Sequence, residues 1–338
     1  MKSWSKSGTI IKMPRKIEIS HKTIVFTALF LVFLWLIYYI RDIILEVFVA
    51  ILISSILNPF VSRLAKFKIP RTISIIIVYA IFFGIFSFTI ASLIPPLIEQ
   101  TTRFATGLPE YFRNLGVPPN ISEGALNQFS QQLANLPSQI LKISISVFSN
   151  ILSLLAVFIF AFYFLLIRNN LYSQLAIFFG DEKAKEIGKV LDELEFRLGG
   201  WSRGQFTLML LVGLANYIGL TLLGIPFALP LAFLAGILEV VPYIGPIIAA
   251  IPSVVVGLGI SPVTGLAVFA LAFLVQQVEN YIFVPKIMEE SVGVSPIVTL
   301  LALAIGFRLA GVVGIIISVP VVITLQIIGK KFTHKISS

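Results

Sequence analysis

Between residues 23 and 328 the chain is a succession of long apolar runs, and almost all of its cations fall between those runs rather than inside them. A helical run of about 20 residues matches the ~30 Å hydrocarbon layer of a bilayer, and in lipid only helices and closed barrels satisfy their own backbone. The side chains are wrong for a water-soluble fold, with 57% hydrophobic, 12% charged and a mean hydropathy of +0.99 over 338 residues. The resulting fold class is all-α: a polytopic transmembrane helical protein of about eight membrane segments, including broken or re-entrant hairpins.

Several function classes are excluded at the same level. A net charge of +9 would suit nucleic acid, but the basic residues sit at the ends and between runs, where they orient the chain in its partner, the lipid bilayer. There is no cysteine, and the only histidines, His21 and His334, lie in basic tails, so no metal site or disulfide is expected. Asp42, Asp181 and Asp192 all lie outside the apolar runs, which argues against an intramembrane aspartyl protease. No Gly-x-x-x-x-Gly-Lys-Ser/Thr phosphate loop occurs. The expectation is no enzyme, no catalytic residue and no cofactor, with any work drawn from an ion gradient or from the gradient of the solute itself.

Lys/Arg-rich loops stay in the cytoplasm, which orients the runs. Residues 1–22 form a basic cytoplasmic tail. Residues 23–94 carry three runs, joined by a turn at Arg41-Asp42 and by an inner loop holding Arg63, Lys66, Lys68 and Arg71. The aromatic end of the first run, Trp35 to Tyr39, reads as an interfacial belt and favours a retained anchor over a cleaved signal. Residues 95–142 are external, and Leu126, Phe129, Leu133, Leu136 and Ile140 space an amphipathic helix there. Residues 143–167 cross back, and residues 168–203 form a cytoplasmic amphipathic helix whose mixed charges read as a solvated face. Residues 204–329 are the transmembrane core, and residues 330–338 are a second basic cytoplasmic tail, so both termini point inward.

Within the core, residues 229–260 and 296–328 are interrupted by proline and glycine, and each stretch holds one ionisable residue, Glu239 or Arg308. Unwound backbone and charge are both costly in hydrocarbon and persist where protein or water lines a cavity, as in the broken helices of secondary transporters. The hinge candidates are Pro242, Gly245, Pro246 and Pro252 in the first stretch and Gly311, Gly314 and Pro320 in the second. Their similar spacing reads either as a degenerate internal repeat or as small residues that let helices pack closely.

Glu239 has two readings, a proton-exchanging group or a structural residue that pairs with Arg308 or caps a broken helix. Glu279, with Gln276 and Asn280, puts a carboxylate and two amides within a turn. Those groups can hydrogen-bond a small polar solute, ligate a monovalent cation, or anchor the end of the span at the interface. Tyr243, inside the break, and Gln205, on the fifth span, are secondary candidates, with packing and interhelical hydrogen bonding as their alternatives.

Gly204-Gln205, then Glu239-Val-Val-Pro242-Tyr-Ile-Gly245-Pro246 with Pro252, Gln276-x-x-Glu279-Asn280 with Pro285, and Gly311-x-x-Gly314 with Pro320 resemble the autoinducer-2 exporter family. The resemblance spans nearly the whole chain and is most specific in Pro-Tyr-Ile-Gly-Pro and Gln-x-x-Glu-Asn. The chain departs from the pattern near Glu289, where the family usually has glycine, and at Gly306-Phe307, where it has a glycine pair. The resemblance implies an inner-membrane transporter without an ATPase domain that forms a homo-oligomer. Some members export the quorum-sensing furanone, and others are similar to sodium or lithium for proton antiporters. The expected function is secondary transport of a small polar solute across the cytoplasmic membrane, proton-coupled at Glu239. The alternatives are a sodium(lithium)/proton antiporter and a non-transporting membrane scaffold.

Overall fold

A computed structural model describes residues 21–114, 151–288 and 295–336. The described elements are helical throughout. They are α1 (His21–Tyr39), α2 (Arg41–Lys66), α3 (Arg71–Asn114), α4 (Ile151–Ile167), α5 (Leu171–Phe179), α6 (Asp181–Leu222), α7 (Ala228–Leu238), α8 (Ile244–Ile260), α9 (Pro262–Val278), α10 (Val284–Met288) and α11 (Pro296–Ile336). A 3₁₀ turn links α4 to α5, and a π-turn links α9 to α10. Among the described residues seven helices are long and apolar enough to cross a membrane, and α7 and α8 are shorter apolar helices. The expected external amphipathic helix at residues 126–140 lies outside the described residues.

The chain divides into two compact units, residues 1–46 and residues 47–338. In the first, α1 exposes apolar side chains on every face, as a helix does when its solvent is lipid. The expected turn at Arg41-Asp42 is helical instead. Only Ile40 departs, and its N–H still donates to Leu36 O while its carbonyl accepts from Ile44 N–H, so hydrogen bonding carries through.

In the second unit α2, α3 and α4 share a core of Leu57, Val61, Ile75, Val78 and Leu165. At one end of this bundle the backbone and side chains are tied by polar contacts. Arg71 Nε donates to Leu165 O at 2.6 Å and its Nη2 to Asn58 Oδ1 at 2.8 Å. Asn58 also donates to Glu195, and Arg168 pairs with both Glu195 and Asp192. The charges of residues 168–203 are therefore not simply a solvated face: Asp192 and Glu195 knit α6 to α2 and to the end of α4.

Two helices outrun the lipid boundaries that hydropathy marks. α3 continues through Pro95-Pro96 to Asn114, a span of 44 residues, and its Phe104 packs on Phe227 with ring centroids 5.6 Å apart. α6 runs 42 residues without interruption at Gly199-Gly200, so the amphipathic segment and the fifth span are one rod. Gly199 permits this by lying against α2, where an added Cβ would sit 2.5 Å from Ser55 O.

Two hairpins pack around α6. In the first, α7 is 11 residues, about 16 Å at 1.5 Å per residue, too short to cross ~30 Å of hydrocarbon. It turns back at residues 239–243 into α8, a re-entrant hairpin. In the second, α11 breaks at Ala310 and at Gly311 (φ 58°, ψ −135°), a backbone that glycine adopts freely. Its arms then fold together so closely that a Cβ on Gly306 would lie 2.3 Å from Gly314 O. Val319, Ile323 and Ile327 of the second arm pack with Leu198 and Trp201 of α6, and Lys331 donates to Glu186 O at 2.7 Å. The arm thus runs antiparallel to α6.

Candidate functional site

The tip of the first hairpin builds the site. Pro242 has no N–H to continue a helix and disfavours helical backbone at Val241, so α7 ends at Leu238 with Glu239 as its C-cap. Tyr243 then takes φ 68°, and Gly245 closes the turn by donating to Val241 O at 2.9 Å. No other residue fits at Gly245, because an added Cβ would sit 1.9 Å from Leu238 O. Pro246 falls in the first turn of α8, where a missing N–H costs nothing. The break frees the Glu239 carbonyl, and Gln205 of α6 reaches across to donate to it at 2.7 Å. Gly213 and Gly236 bring α6 and α7 together beside it, since a Cβ on Gly236 would lie 2.9 Å from Met209 O.

The second acid arrives from α9. Pro285 cannot donate to Tyr281 O, and the helix widens just before it into a π-turn, Glu279–Phe283, in which Val284 N–H reaches back to Glu279 O. Such turns re-aim a side chain without ending the helix and recur at functional sites. Glu279 is 5% exposed and Glu239 1% exposed, and their carboxyl groups are electrostatic neighbours. Gln276 of α9 stands one turn before Glu279. One oxygen of each acid, its Oε2, is buried with no partner among the described residues. Neither acid forms an ion pair among the described residues.

A cavity of about 450 Å³ opens beside the pair, lined by α6, α7, α8, α9 and Glu279 itself. Among the described residues its walls are apolar except at Asn216, Gln276 and Glu279, and Pro246 of the hairpin is part of the lining. A second cavity, about 630 Å³ between α3 and α4, is lined by Tyr79, Phe83, Phe158, Phe162 and Tyr163 together with aliphatic side chains, with no carboxylate, lysine, arginine or histidine among the described residues of its lining.

The structure thus brings together Glu239, Glu279, Gln276, Gln205, Pro242, Gly245 and Pro246. Tyr243 and Asn280 are exposed, and Pro252 lies inside α8, half-buried. Arg308 is exposed near the break of α11 and forms no ion pair among the described residues. Gly311, Gly314 and Pro320 shape that second hairpin, which does not line the cavity. Sequence reasoning did not foresee that Glu239 lies beside another acid; Asn216, a polar residue of the fifth span for which solute contact is the lesser of two readings, faces the cavity. The available signal was Pro285, six residues after Glu279, which predisposes that turn to widen.

The family described as AI-2E family transporter matches residues 24–333. Two Bacillus subtilis proteins bearing the name "Putative transport protein", YueF and YrrI, are each 28% identical to this chain. The YueF similarity covers 87% of this chain and 85% of its own, and the YrrI similarity covers 87% of each. A Haemophilus influenzae protein of the same name is 25% identical, over 91% of this chain and 92% of its own. With a match across nearly its whole length and membrane helices to correspond, this multi-pass chain belongs to the AI-2E family of membrane transporters.

Proposed function

We propose that the protein is a secondary transporter of the cytoplasmic membrane, with both termini inside, that moves a small polar solute through the cavity beside α6 to α9. A proton exchanges at the Glu239–Glu279 pair during the cycle. One observation carries this reading: two buried acids are electrostatic neighbours, each with an unpartnered oxygen, and one of them, Glu279, lines a cavity. Two ionised carboxylates at close quarters repel each other, and a proton on one of them relieves that repulsion. That proton is available for exchange against a solute or ion reaching the free oxygens. The re-entrant tip, hinged at Pro242 and Gly245, is the element whose movement would change the side from which the pair is reached.

A specific feature also favours the sodium(lithium)/proton antiporter reading. Four carboxyl oxygens and the Gln276 amide oxygen are the donors that an alkali cation takes at a broken helix. Reconstituted vesicles separate the readings. Solute flux driven by an imposed pH gradient, and lost in Glu239→Gln and Glu279→Gln, supports solute transport; sodium-dependent proton movement without solute supports antiport. Flux with unchanged gradient dependence in both variants refutes the role given to the pair, and folded protein that moves neither solute nor ion leaves a scaffold.

A further inference from the structure

We propose that the cavity takes a small organic cation with an apolar body, a substrate class that deepens the transport reading above and rests on it. Charge is the first argument. Among the described residues Glu279 is the one ionisable group in the lining, and no lysine, arginine or histidine shares it. Around the pair, α6 presents Gln205, α9 presents Gln276, and the nearest cation in sequence, Lys286 on α10, is exposed. A buried carboxylate is costly until it is paired, and the described residues leave the partner's position empty.

The walls are the second argument. Phe269, Phe273, Gln276 and Glu279 follow one another at spacings of four, three and three, so they share one face and all line the cavity. Aromatic faces attract cations through their quadrupole, and guanidinium or quaternary ammonium groups are the usual guests of such walls. A sugar-like solute fits poorly. Its hydroxyls would meet only Asn216, Gln276 and Glu279, and the Asn216 amide already donates to Val212 O at 2.8 Å. A bare sodium ion would fill little of about 450 Å³ of mostly apolar space, a volume in the range of small-molecule sites.

Access agrees with an amphiphile. Ile247, Ile251, Phe269 and Phe273 line the cavity and are each more than half exposed, so it opens along the apolar flank of the helices. Binding is balanced by one proton: the organic cation takes the charge of the pair, and a proton held by one of the two acids leaves to water.

The test uses full-length protein in vesicles with 1-methyl-4-phenylpyridinium and tetraethylammonium as probes. Neutral 4-methylbiphenyl, ribose and sodium serve as comparisons. Expected are saturable binding of at least one cation, release of a proton on binding, and uptake driven by an acid interior. Glu279→Gln should lower affinity about tenfold or more, and Phe273→Ala a few-fold, with Phe273→Trp restoring it. Thermal melts of each variant separate loss of the site from loss of the fold. Failure of both cations to bind overturns the proposal, as does cation binding indifferent to Glu279→Gln and to Phe273→Ala. If ribose or sodium instead drives proton movement that Glu239→Gln abolishes, the substrate class is wrong and the transport reading stands.

Discussion

Gln205→Leu isolates one interaction on which the site geometry depends. Gln205 is 5% exposed, and its Nε2 donates to Glu239 O at 2.7 Å. That carbonyl has lost its helical partner because Tyr243, four residues on, stands at φ 68°. Leucine nearly matches glutamine in size, so the substitution leaves no cavity, and its cost is a stranded buried carbonyl. In protein interiors such a group costs about 1–3 kcal/mol. Between membrane helices the measured worth of hydrogen bonds is lower, about 0.6 and at most ~1.7 kcal/mol, because the unfolded chain in the bilayer finds other partners. The expected loss is therefore about 1–1.5 kcal/mol, close to tenfold in the unfolding equilibrium. Unfolding in mixed micelles measures it, and proton-coupled flux in vesicles provides the second readout. Flux should fall by more than the stability loss explains, because the tip that loosens is the one that aims Glu239 at Glu279. Wild-type stability would refute the hydrogen-bond argument, and lost stability with wild-type flux would refute the link between the tip and the pair.

Other perturbations test neighbouring steps. Pro285→Ala allows the π-turn, Glu279–Phe283, to relax to regular helix and should cut proton-coupled flux while circular dichroism stays unchanged. Gly306→Ala forces a Cβ to within 2.3 Å of Gly314 O and should cost about 1–3 kcal/mol, whereas Gly84→Ala, with no atom within 4 Å, should be neutral or stabilising by up to ~1 kcal/mol in the same unfolding assay. Glu195→Ala removes a partner from both Arg168 and Asn58 and should destabilise by about 1–2 kcal/mol, while Glu182→Ala on the exposed start of α6 should stay within ~0.5 kcal/mol.

Hydropathy reported the membrane character and the hairpins faithfully because it senses the two quantities that lipid penalises, charge and unwound backbone. Pro242, Gly245 and Gly311 stand at real breaks. It failed at helix ends. A polar residue marks where lipid stops, but a helix continues as long as a neighbour packs against it, as Phe227 does against Phe104 of α3 and as α2 does beside Gly199 of α6. The same blindness hid the role of Asp192 and Glu195: in sequence they look like charges for water, and only the fold brings Arg168 and Asn58 to them.

The carboxyl pair was hidden for a different reason. Reading for charge complementarity leads from Glu239 to Arg308, the ionisable residue at the matching position of the other hairpin, and complementarity is the right prior when both groups are ionised. It does not apply to two acids, because a single proton relieves their repulsion, and a linear sequence carries no sign of where a proton sits. What brings Glu239 and Glu279 together is backbone: a tip that only glycine at 245 can close, and a π-turn next to Pro285 that swings Glu279 inward. Both causes are visible as residues but not as directions, since a proline shows that a hydrogen bond is missing and not which way the neighbouring side chain turns. The acids themselves are ordinary, and the function assigned to them depends on the prolines and glycine that aim them.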